Sequence, residues 1–394
     1  MRLRLLLLAL GTFAVGTDGM VMAGILPLIA HDLDVSISVA GQLVTVFALS
    51  YAVLAPVLAT ATARWPRRRA LLTALAVFTL ANALTALAPS YGFLLATRVL
   101  AALGAALYTP TANAVATSLV PPERRGRAIA VVMGGLTAAT ALGVPLGTWI
   151  GRTDWRLTMW LVTGLGVAAF AGLALLLREL PQPVAVLTLR ARLAPLSNAR
   201  VLGAAVTTFL VFLAFQTSYI YYTVATHPAT GGDQDRLTLL LLVSGFASVG
   251  GGQLGGRLVD RWGPRAVILS SGTAYLVLAG AQPWTLRAMP TALAASALTP
   301  LVGWSIAVAL TARLASLDPA NAPLLISLNS SALYLGIAAA GGTGSLAISL
   351  LGDRWFLLVG AVFAALAVAV AALTARDPQA QRPVTEKTTA PVRA

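Results

Sequence analysis

The chain alternates long apolar segments with short polar ones from one end to the other. A helix that crosses a membrane needs about 20 mostly apolar residues. That rule predicts twelve spans, at residues 5–29, 39–62, 70–88, 92–116, 127–150, 157–178, 201–225, 237–257, 266–284, 288–312, 324–350 and 355–374. Two polar stretches are longer than a turn. Residues 179–200, with "LPQP" and "RLAPLSNAR", divide the spans six and six, and residues 375–394, rich in Pro, Thr and charge, read as disordered. The pattern predicts an all-α integral membrane protein with a first six-helix bundle over 1–178, a cytoplasmic linker over 179–200, a second bundle over 201–374 and a cytoplasmic tail. The opening "MRLRLLLLALGTFAVG" has the basic start and apolar run of a secretory signal, but the run continues to Ile29 and is long enough to span.

Composition agrees. Hydrophobic residues make up 58% of the chain and charged residues 10%, against roughly 25% charged in a soluble domain. The net charge of +14 would suit a nucleic-acid partner, but its placement argues otherwise. With the N-terminus inside, 21 of the 27 basic residues fall in inside segments and 5 outside, while Arg98 lies within a span. This asymmetry predicts a multi-pass protein of the inner membrane with both termini cytoplasmic, its charge set by topology and not by nucleic acid. The absence of cysteine excludes disulfides and thiolate metal sites. His31 and His227 both fall in predicted loops, which argues against zinc or haem. With one deep acid and no intramembrane histidine or cysteine, the spans offer no catalytic pair, so no enzyme is expected. No glycine loop with lysine is present to hold a nucleotide phosphate.

The halves repeat. Span 2 ends "ATATARWPRR" from Ala59, and span 8 ends "GRLVDRWGPR" from Gly256, so the Arg-Trp pairs lie 197 residues apart. Parallel six-span repeats place a binding site at the midplane between halves.

Four motifs carry a resemblance. Gly256, Asp260, Arg261, Gly263 and Arg265 form an intact G-x-x-x-D-R-x-G-x-R loop, whose first-half copy has Ala59, Ala63 and Pro66 in place of Gly, Asp and Gly. An arginine motif runs from Arg98 to Ala106, with Ala101 and Ala102 at the usual Gln and Gly positions. Gly135, Gly143, Pro145, Gly147 and Gly151 form a glycine-rich motif in span 5, and "GTDGMVMAGILP" starts at Gly16. Together they resemble the major facilitator superfamily. Within it the chain is most similar to the twelve-span drug:proton antiporters, among the bacterial chloramphenicol-resistance and arabinose-efflux-like permeases. The resemblance implies two pseudo-symmetric six-helix bundles around a central cavity, alternating access, a proton motive force in place of any cofactor, and a monomer whose partners are substrate, proton and lipid. It implies that the span 5 motif seals the periplasmic side and that Asp260, Arg261 and Arg265 latch the cytoplasmic side, although the lost first-half acid speaks against a symmetrical latch.

Asp18 lies 13 residues from Leu5 and 11 from Ile29, near mid-bilayer. Burial disfavours a charged carboxyl, and an intramembrane acid is by default a functional candidate. Asp18 is the expected proton carrier; the alternative is a structural aspartate at the break between Gly16 and Gly19. Arg98 enters span 4 at a depth roughly 7 Å from that of Asp18, within reach of two side chains, and is expected to modulate it; the alternative is an arginine bonded to backbone carbonyls. Polar and aromatic side chains in spans are the candidate substrate contacts: Met22, Gln42, Tyr51, Asn113, Gln216, Tyr219, Tyr222, Trp304, Asn329 and Tyr334. Residues 216, 219 and 222 fall broadly on one helix face. A single deep acid suits neutral or monocationic amphiphiles, so export of amphipathic drugs is the leading expectation. Efflux of a sugar or endogenous metabolite is the alternative, and a non-transporting sensor of the same fold is a third.

Overall fold

The computed structural model describes residues 2–121, 124–177, 189–318 and 321–374, and among these there is no strand. The first six crossings are α1 (Arg2–Asp32), α2 (Gln42–Ala61, preceded by the single turn Ile37–Ala40), α3 (Arg67–Ala86), α4 (Tyr91–Ser118), α5 (Arg125–Ile150) and α6 (Trp155–Leu176). The second six begin with α7 (Ala199–Ile220), followed by a separate helix, Tyr222–Thr230. Crossings α8 and α9 are two helices that share the stretch Gln234–Thr285 and meet at a kink at Gly263, whose backbone is not helical. Then come α10 (Met289–Leu317), α11 (Ala322–Trp355) and α12 (Leu357–Thr374). With the stretch Gln234–Thr285 holding two of them, the apolar helices make the twelve expected crossings. The predicted tail and residues 179–188 of the predicted linker lie outside the described residues; the rest of the linker holds the short helix Leu189–Leu193 and a 3-10 turn, Ala194–Ser197.

Helix starts carry their expected caps. The Ser90 hydroxyl accepts from Phe93 N–H, Asp154 from Arg156 N–H, Asn198 from Arg200 N–H, and Asp233 from the N–H groups of Asp235 and Arg236. Span 7 is shorter than its apolar run suggests because Tyr221 leaves helical geometry. Its hydroxyl donates to the Gly341 carbonyl at 2.7 Å, and its ring meets Phe356 edge-on.

Helices α1–α6 pack mainly on one another, as do α7–α12. In "ARWPRRRALL" the chain breaks at Pro66, and α3 begins with arginines that cap neighbouring helices. Arg67 donates to the Ala114 carbonyl at 2.8 Å, while Arg68 donates to those of Leu177 and Ala174 at 2.7 and 2.8 Å. These carbonyls lie at or near the C-terminal ends of α4 and α6, where helix carbonyls begin to run out of intrahelical partners. Arg313 does the same for Thr374 in the second half.

The second-half copy of that loop breaks at a single residue. Gly263 has φ 76° and ψ 159°, a backbone region open essentially to glycine alone, and one residue in that geometry turns α8 into α9. Nothing lies within 4 Å of a Cβ built there, so the requirement is conformational and not steric. Gly263→Ala is expected to destabilise the protein by about 1–3 kcal/mol. Gly256→Ala, on helix with open space beside it, should not lower the melting temperature in detergent and should raise it slightly.

The halves join at the end of the bundle that carries Asp32. There Gly341 of α11 lies against Thr45 of α2 and Arg152 pairs with Asp235 at 3.5 Å, while nearer mid-depth Gly245 of α8 lies against the backbone of Thr140 and Ala141 in α5. At the opposite end, which carries Arg67, Asp260, Arg261 and Arg265 are exposed. Among the described residues these three make no ion pair, so the loop expected to latch the halves is disengaged while the Asp32 end is shut.

Candidate functional site

The centre of the first bundle holds a buried ion pair. Asp18 on α1 and Arg98 on α4 are both 0% exposed, and an Arg98 Nη1–H donates to Asp18 Oδ1 at 2.6 Å. The long arginine side chain closes the depth offset anticipated from sequence. The pair is incompletely satisfied: Asp18 Oδ2 and Arg98 Nε have no hydrogen-bond partner. The face of Phe47 on α2 lies 4.6 Å from the guanidinium carbon, a cation–π contact in place of a second anion. Desolvating two charges costs several kcal/mol per ion and is repaid only by close geometry and further hydrogen bonds. A pair this dry with two atoms unsatisfied is a poor source of stability.

The glycine-rich face of α5 fixes α1 around that aspartate. A Cβ at Gly135 would collide with the Ala9 carbonyl, one at Gly143 with the Thr17 hydroxyl, and one at Gly147 with Val21. Thr12 bonds across to the Val132 carbonyl at 2.5 Å. Small residues on one face allow this approach, while Gly151 serves Thr158 of α6 in the same way. Pro145 brings no N–H for the carbonyl one turn earlier, and the helix widens just before it into a π turn, Ala139–Gly143. That turn touches α1 through Gly143 and α8 through Thr140, so it joins the acid-bearing helix to the other half.

An aromatic series runs from the ion pair to the interface between halves. The Phe47 and Tyr51 ring centres are 6.5 Å apart, and Tyr51 stacks on Tyr334 of α11 at 3.7 Å. Tyr51 and Tyr334 therefore meet each other across the interface.

Four other candidates line free space. Gln216, Tyr219 and Trp304, with Met20, Thr140 and Phe215, wall a cleft between the two halves. Tyr219 and Tyr222 also line an adjoining pocket within the second bundle. The remaining candidates lie among helices. Met22 is fully buried in the core. Gln42 donates to the Ser38 carbonyl at 3.4 Å, and the Asn113 amide reaches Met133 Sδ at 3.6 Å. Asn329 accepts from Thr208 at 2.6 Å and donates to Thr311 at 3.1 Å, tying α7, α10 and α11 together. Sequence reasoning passed over Phe215, Gln282 and Thr299, although the last two are isolated polar residues in apolar spans and that pattern was available.

Comparison with known proteins completes the picture. A family model described as Major Facilitator Superfamily matches residues 8–279. The "Inner membrane transport protein YdhP" of Escherichia coli (strain K12) is 32% identical over 376 residues, which is 94% of this chain and 96% of that protein. The "Chloramphenicol resistance protein" of Streptomyces lividans is 37% identical over 287 residues, 70% of this chain and 71% of that one. Among solved structures, a bacterial homologue of the human lysosomal transporter Spinster superposes with a TM-score of 0.77 at 18% identity, covering 95% of this chain and 96% of its own. The motifs, the twelve crossings in two bundles and the matched family model lead to one assignment: this chain is a multi-pass membrane transport protein belonging to the Major Facilitator Superfamily.

Proposed function

We propose that this chain is a proton-coupled antiporter that exports small amphipathic organic compounds, drugs among them, by alternating access between bundles at 1–178 and 201–374. The observation that carries the reading is the dry, incompletely satisfied Asp18–Arg98 pair beside the inter-half contact. A carboxylate held by one cation and lacking other partners exchanges that cation for a proton when the helices around it rearrange, which a purely structural pair does not do. Relatives named for chloramphenicol resistance and efflux support the export direction and the substrate class. The arginine distribution supports a topology with the Arg67 end and both termini in the cytoplasm of a cell with an inner membrane, in which the Asp32 end, where the halves join, faces outward.

The test is uptake of radiolabelled chloramphenicol, and of a small panel of drugs and sugars, into everted membrane vesicles with and without an imposed pH gradient. Accumulation of a drug that collapses when a protonophore is added is the expected result. Accumulation of a sugar alone, or uptake that follows a sodium gradient and ignores the proton gradient, contradicts it.

A further inference from the structure

The pocket adjoining the inter-half cleft has no part in the proton chemistry and lies inside the second bundle, among α7, α8, α9 and α10. It shares the walls Phe215, Tyr219, Ser244 and Pro300 with the cleft, so it is a side chamber of that cleft. Three properties define what fits it. The rings of Phe215 and Tyr219 stack with centres 5.9 Å apart and planes 14° from parallel, which forms a flat aromatic wall. The lining contains no Asp, Glu, Lys, Arg or His, so a charged group entering it would be desolvated without compensation. Its polar groups are also unevenly satisfied. Tyr222 and Ser296 share a hydrogen bond, and Ser244 donates to the Ser296 carbonyl at 3.1 Å. By contrast, the Thr299 hydroxyl is buried with no partner, and the Gln282 amide makes no side-chain hydrogen bond among the described residues. Both residues are 6% exposed. Buried polar groups are almost always paired, so the orphaned Thr299 hydroxyl beside the Gln282 amide marks the polar end of this pocket and calls for an explanation.

We propose that this side chamber is a substrate subsite for neutral aromatic compounds bearing a hydroxyl or amide group. The polar substituent enters between Gln282 and Thr299, the ring lies along Phe215 and Tyr219, and the rest of the molecule occupies the cleft at Met20 and Trp304. The pocket is narrow, which suits one substituted edge of a ligand and not a whole drug. Gln282 supplies both a donor and an acceptor, so it accepts either an alcohol or an amide. The substrate then has no contact with Asp18, whose carboxylate is committed to Arg98, and proton and substrate sites lie in different halves. This inference rests on the export reading above and specifies its substrate class.

The experiment is equilibrium binding to purified protein in detergent, with no gradient present, using chloramphenicol as the neutral probe and tetraphenylphosphonium as an aromatic cation without hydrogen-bonding groups. Wild type is expected to bind chloramphenicol and to bind the cation at least tenfold more weakly. Gln282→Leu, which removes the hydrogen bond and leaves the ligand's group orphaned, is expected to weaken chloramphenicol binding about tenfold, and Thr299→Val by a smaller factor, with melting temperatures unchanged. If Gln282→Leu does not fold, the Thr299→Val result decides. Undiminished chloramphenicol binding by the folded variants overturns the subsite, and so does a wild-type preference for the cation. Neither outcome touches the antiport reading, which fails only when wild-type vesicles show no gradient-driven export.

Discussion

Asp18→Asn is expected to abolish gradient-driven export and at the same time to weaken the fold. The two effects have different origins and can be separated. Asparagine fills nearly the same volume but takes up no proton, so a carrier that depends on that proton loses its coupling whatever its shape. The fold suffers because Arg98, 0% exposed, keeps its charge and loses the anion it pairs with among the described residues. Removing one partner of a buried pair costs about 3–5 kcal/mol, because the remaining charge is uncompensated. The Asp18→Asn/Arg98→Gln double variant removes both charges and is expected to regain most of the lost stability, since a buried pair is often no better than a neutral replacement. It should not regain export. Melting temperature in detergent and protonophore-sensitive chloramphenicol uptake, measured on all three proteins, test this. If the double variant transports with the gradient once its fold is restored, Asp18 is structural and the coupling acid lies elsewhere.

The sequence announced the Asp18–Arg98 pair for a simple physical reason: charge within an apolar span is rare enough that two such residues at compatible depths point to each other. The twelve crossings were readable on the same grounds, because length and apolarity alone define a span. Where reading stopped short, the cause was geometry that hydropathy does not encode. The break between α8 and α9 fell where hydropathy put it, but the kink itself, one residue at Gly263 with positive φ, is not encoded there. Asn329 and Gln42 are polar in apolar surroundings, as ligand-binding residues are, but each spends its amide on neighbouring protein groups. Gln282 shares their chemistry and lacks their partners, and only coordinates reveal that difference. Tyr51 and Tyr334 were legible as cavity aromatics, but their stacking across the interface depends on how two bundles approach, which no local pattern specifies.

The same dependence makes Gly245 the most informative position for the conformational cycle. It is buried on α8, and a Cβ there would collide with the Thr140 carbonyl oxygen in the π turn of α5. The obstacle is backbone, so no rotamer change relieves it. Because Thr140 belongs to the other half, the added methyl bears directly on the contact between the halves in the state described. Gly245→Ala is therefore expected to penalise this one state by about 1–3 kcal/mol, the usual cost of overpacking, which corresponds to a shift of roughly 5–150-fold towards the state open at that end. The chain contains no cysteine, so a single engineered pair reports cleanly. Arg152→Cys with Asp235→Cys replaces an exposed inter-half ion pair, 45% and 74% accessible, which is worth about 0–1 kcal/mol and leaves the background nearly undisturbed. A short bifunctional thiol reagent should cross-link this pair readily with glycine at 245 and at least fivefold more slowly with alanine. Equal rates would mean that the π turn yields to the added methyl, and that the seal depends on the contact of Gly341 with Thr45 and not on α5 against α8.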